Sequence, residues 1–295
     1  MSDDGFVCGF VAIIGRPNVG KSTLMNRLVG QKISITSKKA QTTRHRVTGV
    51  LTIADAQFAF VDTPGFQTKH RSRLNDRMNR TVTQSIADVD ATVFVIEAGH
   101  TTDADRAVVR LLPAGAGVVA ALNKVDRLKE RDALLPQMAE LSTLYPFAAI
   151  VPVSAEKERG LDVLRSEVRS LLPAGAAIFA VDEITDRDER FLAAEFVREK
   201  IFRLLGEEVP YATTVVIDAF VQEGDLRRIQ ATIYVDRDSQ KAILLGTGGL
   251  QMKEIASRAR TDMERMFSGT VFLEIWVRVK RGWANDESLL KRFGY

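Results

Sequence analysis

Gly15-Arg16-Pro17-Asn18-Val19-Gly20-Lys21-Ser22 fits the pattern G-x-x-x-x-G-K-[ST]. It directly follows the apolar run GFVAIIG at 9–15 and opens a helix-length segment at 21–30. Strand, glycine-rich turn and helix is the context in which such a loop cradles phosphates. Glycines let successive backbone N–H groups turn inward, and the helix N-terminus adds partial positive charge. A chance match in a chain of this length is on the order of one in a hundred. In the phosphate-binding reading the whole stretch Gly15, Arg16, Pro17, Asn18, Val19, Gly20, Lys21 and Ser22 surrounds the anion. Lys21 reaches the β- and γ-phosphates, and the Ser22 hydroxyl ligates Mg2+.

Outward from that loop, short apolar runs at 47–53, 58–62, 92–98, 118–123 and 149–154 alternate with helix-length stretches at 71–87, 103–112, 131–144 and 160–172. That alternation predicts an α/β domain over 1–172, a mostly parallel sheet with helices on both faces. Ligands in such sheets sit beyond the carboxyl ends of the strands. Three further segments fall there. Asp62-Thr63-Pro64-Gly65 is D-x-x-G: Asp62 can hold magnesium through water, and the Gly65 N–H can sense a γ-phosphate. Asn123-Lys124-Val125-Asp126 is N-K-x-D, whose Asp126 can accept two hydrogen bonds from guanine that adenine does not offer. Ser154 and Ala155 follow the sixth strand and can bring a backbone N–H to the guanine carbonyl.

With these four segments in order, the chain resembles the translation-factor-like GTPases. The resemblance implies GTP and GDP as ligands and slow intrinsic hydrolysis. It also implies a switch threonine that completes the magnesium shell, here Thr43, with Thr42 the alternative, in the basic stretch 38–44. Phe66 stands where Ras-like enzymes place a water-orienting glutamine, and phenylalanine cannot hydrogen-bond a water. Asn18 is similar to the asparagine that holds potassium in related cation-stimulated GTPases. The segment 66–80, rich in Lys69, Arg71, Arg73, Arg77 and Arg80, is either the solvated face of a switch helix or a surface that meets RNA or the second domain.

The composition changes near 173–186, which reads as a linker. From 187 to 295 the order becomes helix, strand, strand, helix, helix, strand. On the first strand Val215, Ile217, Ala219 and Val221 are expected on one face; on the second, Ile229, Ala231, Ile233 and Val235. Gly246-Thr247-Gly248-Gly249 lies between the adjacent helices. A glycine helix cap produces the same letters, but in this element order G-x-x-G is that of a type II KH domain, an α+β fold that holds about four unpaired bases. Lys241, Lys253, Arg260, Arg278 and Lys280 are the candidate RNA contacts beside it. Trp283 could stack on a base or cover the domain edge.

A GTPase domain followed by a KH domain resembles the Era family of ribosome-assembly GTPases over essentially the whole chain. GRPNVGKSTLMNRL, SKKAQTTRHRVTGV, DTPG, NKVD, ITDRDERFLAAEFVREK and LEIWVRVKRGWANDE carry the likeness. The resemblance implies binding to the 3′ end of 16S ribosomal RNA, help in assembling the small (30S) subunit, a monomeric state and peripheral association with the inner membrane. The alternative is a GTPase adaptor whose C-terminal half docks protein or membrane.

Composition bounds these expectations. The chain has 295 residues, 45% hydrophobic and 27% charged, which is ordinary globular composition. One cysteine excludes an intramolecular disulfide, and a cytoplasmic protein is expected. The net charge of +3 names no partner. It is unevenly spread: 227–281 carries eleven basic and six acidic residues, within a half (181–295) that nets −2.

Overall fold

The computed structural model describes residues 5–37, 39, 41–67, 72–128, 134–206 and 208–295. Lys38, Ala40, Lys69, His70, Arg71 and the start of the helix expected at 131 therefore lie outside the described residues. The chain divides into two compact units. One comprises Met1–Ser34, Thr43–His70 and Met78–Asp186; the other comprises Ile35–Thr42, Arg71–Arg77 and Arg187–Tyr295.

The elements of the N-terminal half run β1 (Val7–Ile14), α1 (Lys21–Val29), β2 (Val47–Ile53), β3 (Ala56–Asp62), α2 (Arg73–Ala87), β4 (Ala91–Glu97), α3 (Asp103–Val109), β5 (Val118–Asn123), α4 (Leu134–Leu144), β6 (Ala149–Pro152) and α5 (Leu161–Arg169). The sheet has the order β2-β3-β1-β4-β5-β6, and only β2, against β3, runs antiparallel. β1, β4 and β5 are apolar almost without interruption because both faces are covered. On one face Val82, Ile86, Val108, Val109 and Leu141 from α2, α3 and α4 pack with Ala12, Ile14, Phe94, Ile96 and Leu122. The strand order reverses between β1 and β4, and the phosphate loop leaves β1 at that reversal, where an open α/β sheet leaves a crevice.

The segment 173–186, expected as a linker, is anchored along the first unit. Gln57 is fully buried, and its Oε1 accepts from the Ile178 and Phe179 amides at 2.7 and 2.9 Å. Its Nε2 donates to the Phe179 carbonyl at 2.9 Å. Further along, Val50 N–H donates to Ile184 O, and Asp186 accepts from the Thr48 amide and hydroxyl. The charged stretch DEITDRDER is thus used twice: Asp186 closes the anchor, and Asp188 caps the next helix by accepting from Phe191 N–H at 2.8 Å.

The second unit contains α6 (Glu189–Leu204), α7 (Glu208–Tyr211), β7 (Thr214–Glu223), β8 (Leu226–Val235), α8 (Asp238–Leu245), α9 (Leu250–Phe267), β9 (Thr270–Val279) and α10 (Glu287–Arg292). The short α7 and α10 span too few turns for periodicity to reveal them. β8 is central, antiparallel to β7 and parallel to β9. Ile229, Ala231, Ile233 and Val235 are all fully buried, as their alternation predicts. On β7 the expected face breaks. The register shifts between Ile217 and Ala219, so Val215 and Ile217 are buried whereas Val221 is 49% exposed. A bulge adds one residue and turns the rest of the strand over. Trp283 is fully buried, donates Nε1–H to Ala212 O at 2.9 Å and packs on Phe293 and Tyr295. It covers the domain edge and offers no open ring to a base.

Replacing Gln57 with alanine strands the Ile178 and Phe179 amides. The expected loss is about 1–3 kcal/mol of stability, read by urea unfolding, with faster proteolysis confined to 173–186.

Candidate nucleotide site and nucleic-acid interface

Asp62, at the end of β3, is fully buried. Its Oδ2 accepts from Ser22 Oγ at 2.7 Å, Ser34 Oγ at 2.6 Å and Thr43 Oγ1 at 3.2 Å. Ser22 and Thr43 hydroxyls lie 2.7 Å apart. Thr42 instead donates to Lys39 O at 2.7 Å, so of the two switch threonines Thr43 faces the carboxylate. Asp62 Oδ1 is buried without a hydrogen-bond partner. One orphaned carboxylate oxygen beside converging hydroxyls is the all-oxygen donor set a hard divalent cation such as Mg2+ requires. Ser22, Thr43 and Asp62 could hold it. Among the described residues no cluster of three or more His, Cys, Asp or Glu side chains offers another metal site.

Ser34 belongs to no motif, so the sequence alone does not mark it. Its position comes from Asn26 on α1, whose side chain accepts from the Ile33 and Ser34 amides and donates to Ser34 O. Lys21 is buried, and its ammonium donates to the carbonyls of Gly15 and Arg16 at 3.1 and 3.0 Å. Burial lowers its pKa to about 8, against the pull of Asp62. Burial likewise pushes the Asp62 carboxyl up, while Ser34, Ser22 and Lys21 draw it back.

Two glycines set how closely the loops approach. A Cβ on Gly65 would lie 2.7 Å from Pro17 Cα, so the D-x-x-G turn rests on the phosphate loop. Gly20, at φ +102°, would drive a Cβ to 2.3 Å from Asn123 Nδ2. Thr63 donates its hydroxyl to Ile13 O at 2.8 Å, and the Phe66 amide donates to Gly15 O. The Phe66 ring packs against the core under α2–α4, and its neighbour Gln67 is gripped through its backbone by Asn79.

The base-reading loops are tied to the phosphate loop. Asn123 Nδ2 donates to Val19 O at 2.8 Å, and its Oδ1 accepts from Ala155 N–H at 2.9 Å. Lys124 donates to Asn18 O at 2.7 Å and pairs with Glu97 at 3.0 Å. Glu97 also pairs with Arg16, which reaches the fully buried Asp105 at 3.1 Å. The Arg16 guanidinium therefore braces the loop from outside, and only its backbone belongs to the cradle. Burial opposes ionisation of Glu97, but Lys124 and Arg16 outweigh it and hold its carboxyl below the usual value. Ser154 Oγ donates to Asp126 Oδ1, the main cause of the lowered Asp126 pKa. An ionised, oriented carboxylate is what a guanine edge requires.

In the second unit, Gly246–Gly249 joins α8 to α9 through a tight turn closed by Gly249 N–H donating to Gly246 O at 3.2 Å. Gly248 and Gly249 take positive φ, and a Cβ on either would meet nothing within 4 Å, so bare backbone faces outward. Lys241 stands on α8 and Lys253 in the first turn of α9, with exposed Ile243 and Leu250 between them. Those two apolar residues are absent from the sequence-based candidates because helical spacing alone does not reveal exposure. Ile255 is fully buried, a core residue. Arg260 is engaged by Glu264 at 2.8 Å. Arg278 lies elsewhere: with Val271 buried, strand alternation puts even-numbered residues of β9 on the face away from α9, and exposed Lys280 follows just past the strand.

Residues 10–124 match the family described as 50S ribosome-binding GTPase, and residues 208–284 match the KH domain. The two halves together define a P-loop GTPase carrying a KH RNA-binding domain. The chain is 55% identical to GTPase Era of Nitrosomonas eutropha, covering 100% of both chains. To GTPase Era of Chromobacterium violaceum it is 52% identical, over 100% of this chain and 99% of that one. It thus belongs to the GTPase Era family. The solved structure of Era in complex with MgGDPNP and nucleotides 1506–1542 of 16S ribosomal RNA superposes with a TM-score of 0.95 at 38% identity, covering 98% of this chain and 99% of that one. A point variant of Aquifex aeolicus Era bound to GDP and tetrafluoroaluminate gives the same TM-score of 0.95 and identity of 38%, with the same coverage. No described helix is long and apolar enough to cross a membrane.

Two outcomes follow from the site. Bound phosphates return Lys21 toward its ordinary pKa, so above a pH of about 8 nucleotide binding takes up a proton and affinity falls as pH rises. Calorimetry in buffers of different ionisation enthalpy measures that uptake, and proton-neutral binding at a pH of about 9 would contradict it. Asp126→Asn converts an acceptor to a mixed donor, so preference shifts from GTP toward xanthosine triphosphate by roughly tenfold or more, read by nucleotide competition.

Proposed function

We propose that this GTPase binds the 3′ end of 16S ribosomal RNA through its KH domain and assists small-subunit assembly under control of GTP and GDP. The observation that carries the proposal is the full-length likeness, at a TM-score of 0.95, to an Era that holds MgGDPNP and nucleotides 1506–1542 of that RNA. The open G-x-x-G backbone with Lys241 and Lys253 beside it supports the same assignment, since unpaired RNA needs close backbone approach and cationic flanks.

In the nucleotide site, Ser22, Thr43 and Asp62 would hold Mg2+, which neutralises charge on the β- and γ-phosphates when bound. Lys21 would exchange the loop carbonyls of Gly15 and Arg16 for phosphate oxygens. Thr43 would then report the γ-phosphate to the switch segment, because its hydroxyl already shares the Asp62 carboxylate with Ser22. The Phe66 ring is spent on packing, so the attacking water is oriented by backbone, by another residue or by a partner, and intrinsic hydrolysis is slow. Potassium beside Asn18 belongs to the same proposal as an accelerating cation.

The test is the double change Gly248→Asp and Gly249→Asp. Each aspartate is expected to repel the RNA backbone, abolishing binding to a 16S 3′-end oligonucleotide while leaving GDP affinity within about twofold. Undiminished RNA binding would overturn the role given to the G-x-x-G loop.

A further inference from the structure

The outer face of the β7–β8–β9 sheet carries exposed rings that folding alone gives no reason to show. Phe272 and Trp276 on β9 are 48% and 44% exposed. They share a face and stand four residues apart, about 13 Å along the strand. The register places their neighbours. Val221, Arg228 and Phe272 form one row across the three strands; Ala219, Gln230 and Glu274 form the next; Val216, Thr232 and Trp276 the third. Arg228 lies over the Phe272 ring at 5.6 Å from its centroid, held on its other side by Glu223 at 2.9 Å. Between the two rings, Gln230 donates to Glu274 at 3.1 Å. Arg278 and Lys280 continue the same face beyond Trp276, both exposed. At that end Tyr234 is covered by Phe293 at 4.7 Å, so the open platform stops there.

We propose that this face is a second RNA-binding surface, on which two unpaired bases stack on Phe272 and Trp276. It rests on the RNA-binding assignment above and is separate from the G-x-x-G loop, which lies between helices packed on the opposite side of the sheet. The chemistry favours unpaired nucleotides. Aromatic platforms separated by an amide and a carboxylate offer stacking and base-edge hydrogen bonds in alternation. The Arg228 guanidinium forms a second stacking plane over Phe272. Arg278 and Lys280 supply cations for the phosphates beyond the second base, while the acids of the face are engaged within it, Glu223 by Arg228, Glu274 by Gln230 and Asp218 by Thr232.

The experiment compares two single-stranded RNAs, one of about four nucleotides that a KH groove alone accommodates and one of about twelve. The chain has two tryptophans, and Trp283 is buried, so quenching and iodide protection report Trp276. The long RNA is expected to quench Trp276 and protect it from iodide; the short one is not. Phe272→Ala with Trp276→Ala is expected to weaken the long RNA roughly tenfold or more and leave the short one unchanged. Phe272→Tyr with Trp276→Phe should restore binding, since the rings remain. Equal loss of both RNAs, no loss of either, or binding of duplex RNA in place of single strands would overturn the proposal. If the unaltered protein binds neither RNA, the RNA-binding assignment itself falls, a result distinct from selective failure of the long one.

Discussion

A fully buried carboxylate with one satisfied and one orphaned oxygen is the constraint around which the nucleotide site is arranged. Asp62 sits at the end of a central strand, where desolvating an unpaired anion would cost several kcal/mol. Three hydroxyls from three separate segments offset that cost: Ser22 from the helix after the phosphate loop, Ser34 from the turn that follows it, and Thr43 from the switch. Each donor is usable only if its segment is folded correctly. The carboxylate therefore ties the geometry of three loops together, and its remaining oxygen is left for a cation.

The second constraint is mechanical. Asn123 and Lys124 hold carbonyls of the phosphate loop, and Arg16 braces the same loop against Glu97 and the buried Asp105. Asp105 also closes a capping box with Thr102 at the start of α3. Base-reading and phosphate-binding segments thus share donors and acceptors, so a distortion at one is felt at the other. Preorganisation of this kind lowers the ordering cost of binding.

In the second unit the bulge at Asp218 changes the sheet. It lets β7 begin with Val215 and Ile217 in the core and end with Val221 in solvent. Thr232 on β8 is buried and donates to Asp218 Oδ2 at 2.6 Å, which fixes where the turn-over occurs. The outer face that results is aromatic and polar by turns, a different surface from the glycine loop on the helical side.

The four motifs, the parallel alternation and the helix–strand order are legible from residues 9–172 and 187–280, because phosphate and guanine recognition need particular residue types at strand ends. The motifs name Ser22, Asp62 and Asp126 outright, whereas only the family resemblance favours Thr43 over Thr42. Ser34, Asn26, Glu97 and Asp105 are not legible, since each acts through a partner far away in sequence. Nor can one strand's alternation show that Val221 points outward after a bulge, that Trp283 is enclosed while Trp276 is open, or that Arg278 and Lys280 stand apart from the glycine loop. By itself the sequence determined which chemistry the chain can perform, because that chemistry is carried by local spacing. Only the tertiary structure decided which side chains share a buried charge and which face of each strand meets solvent, because burial and pairing are set by neighbours that arrive from elsewhere in the chain.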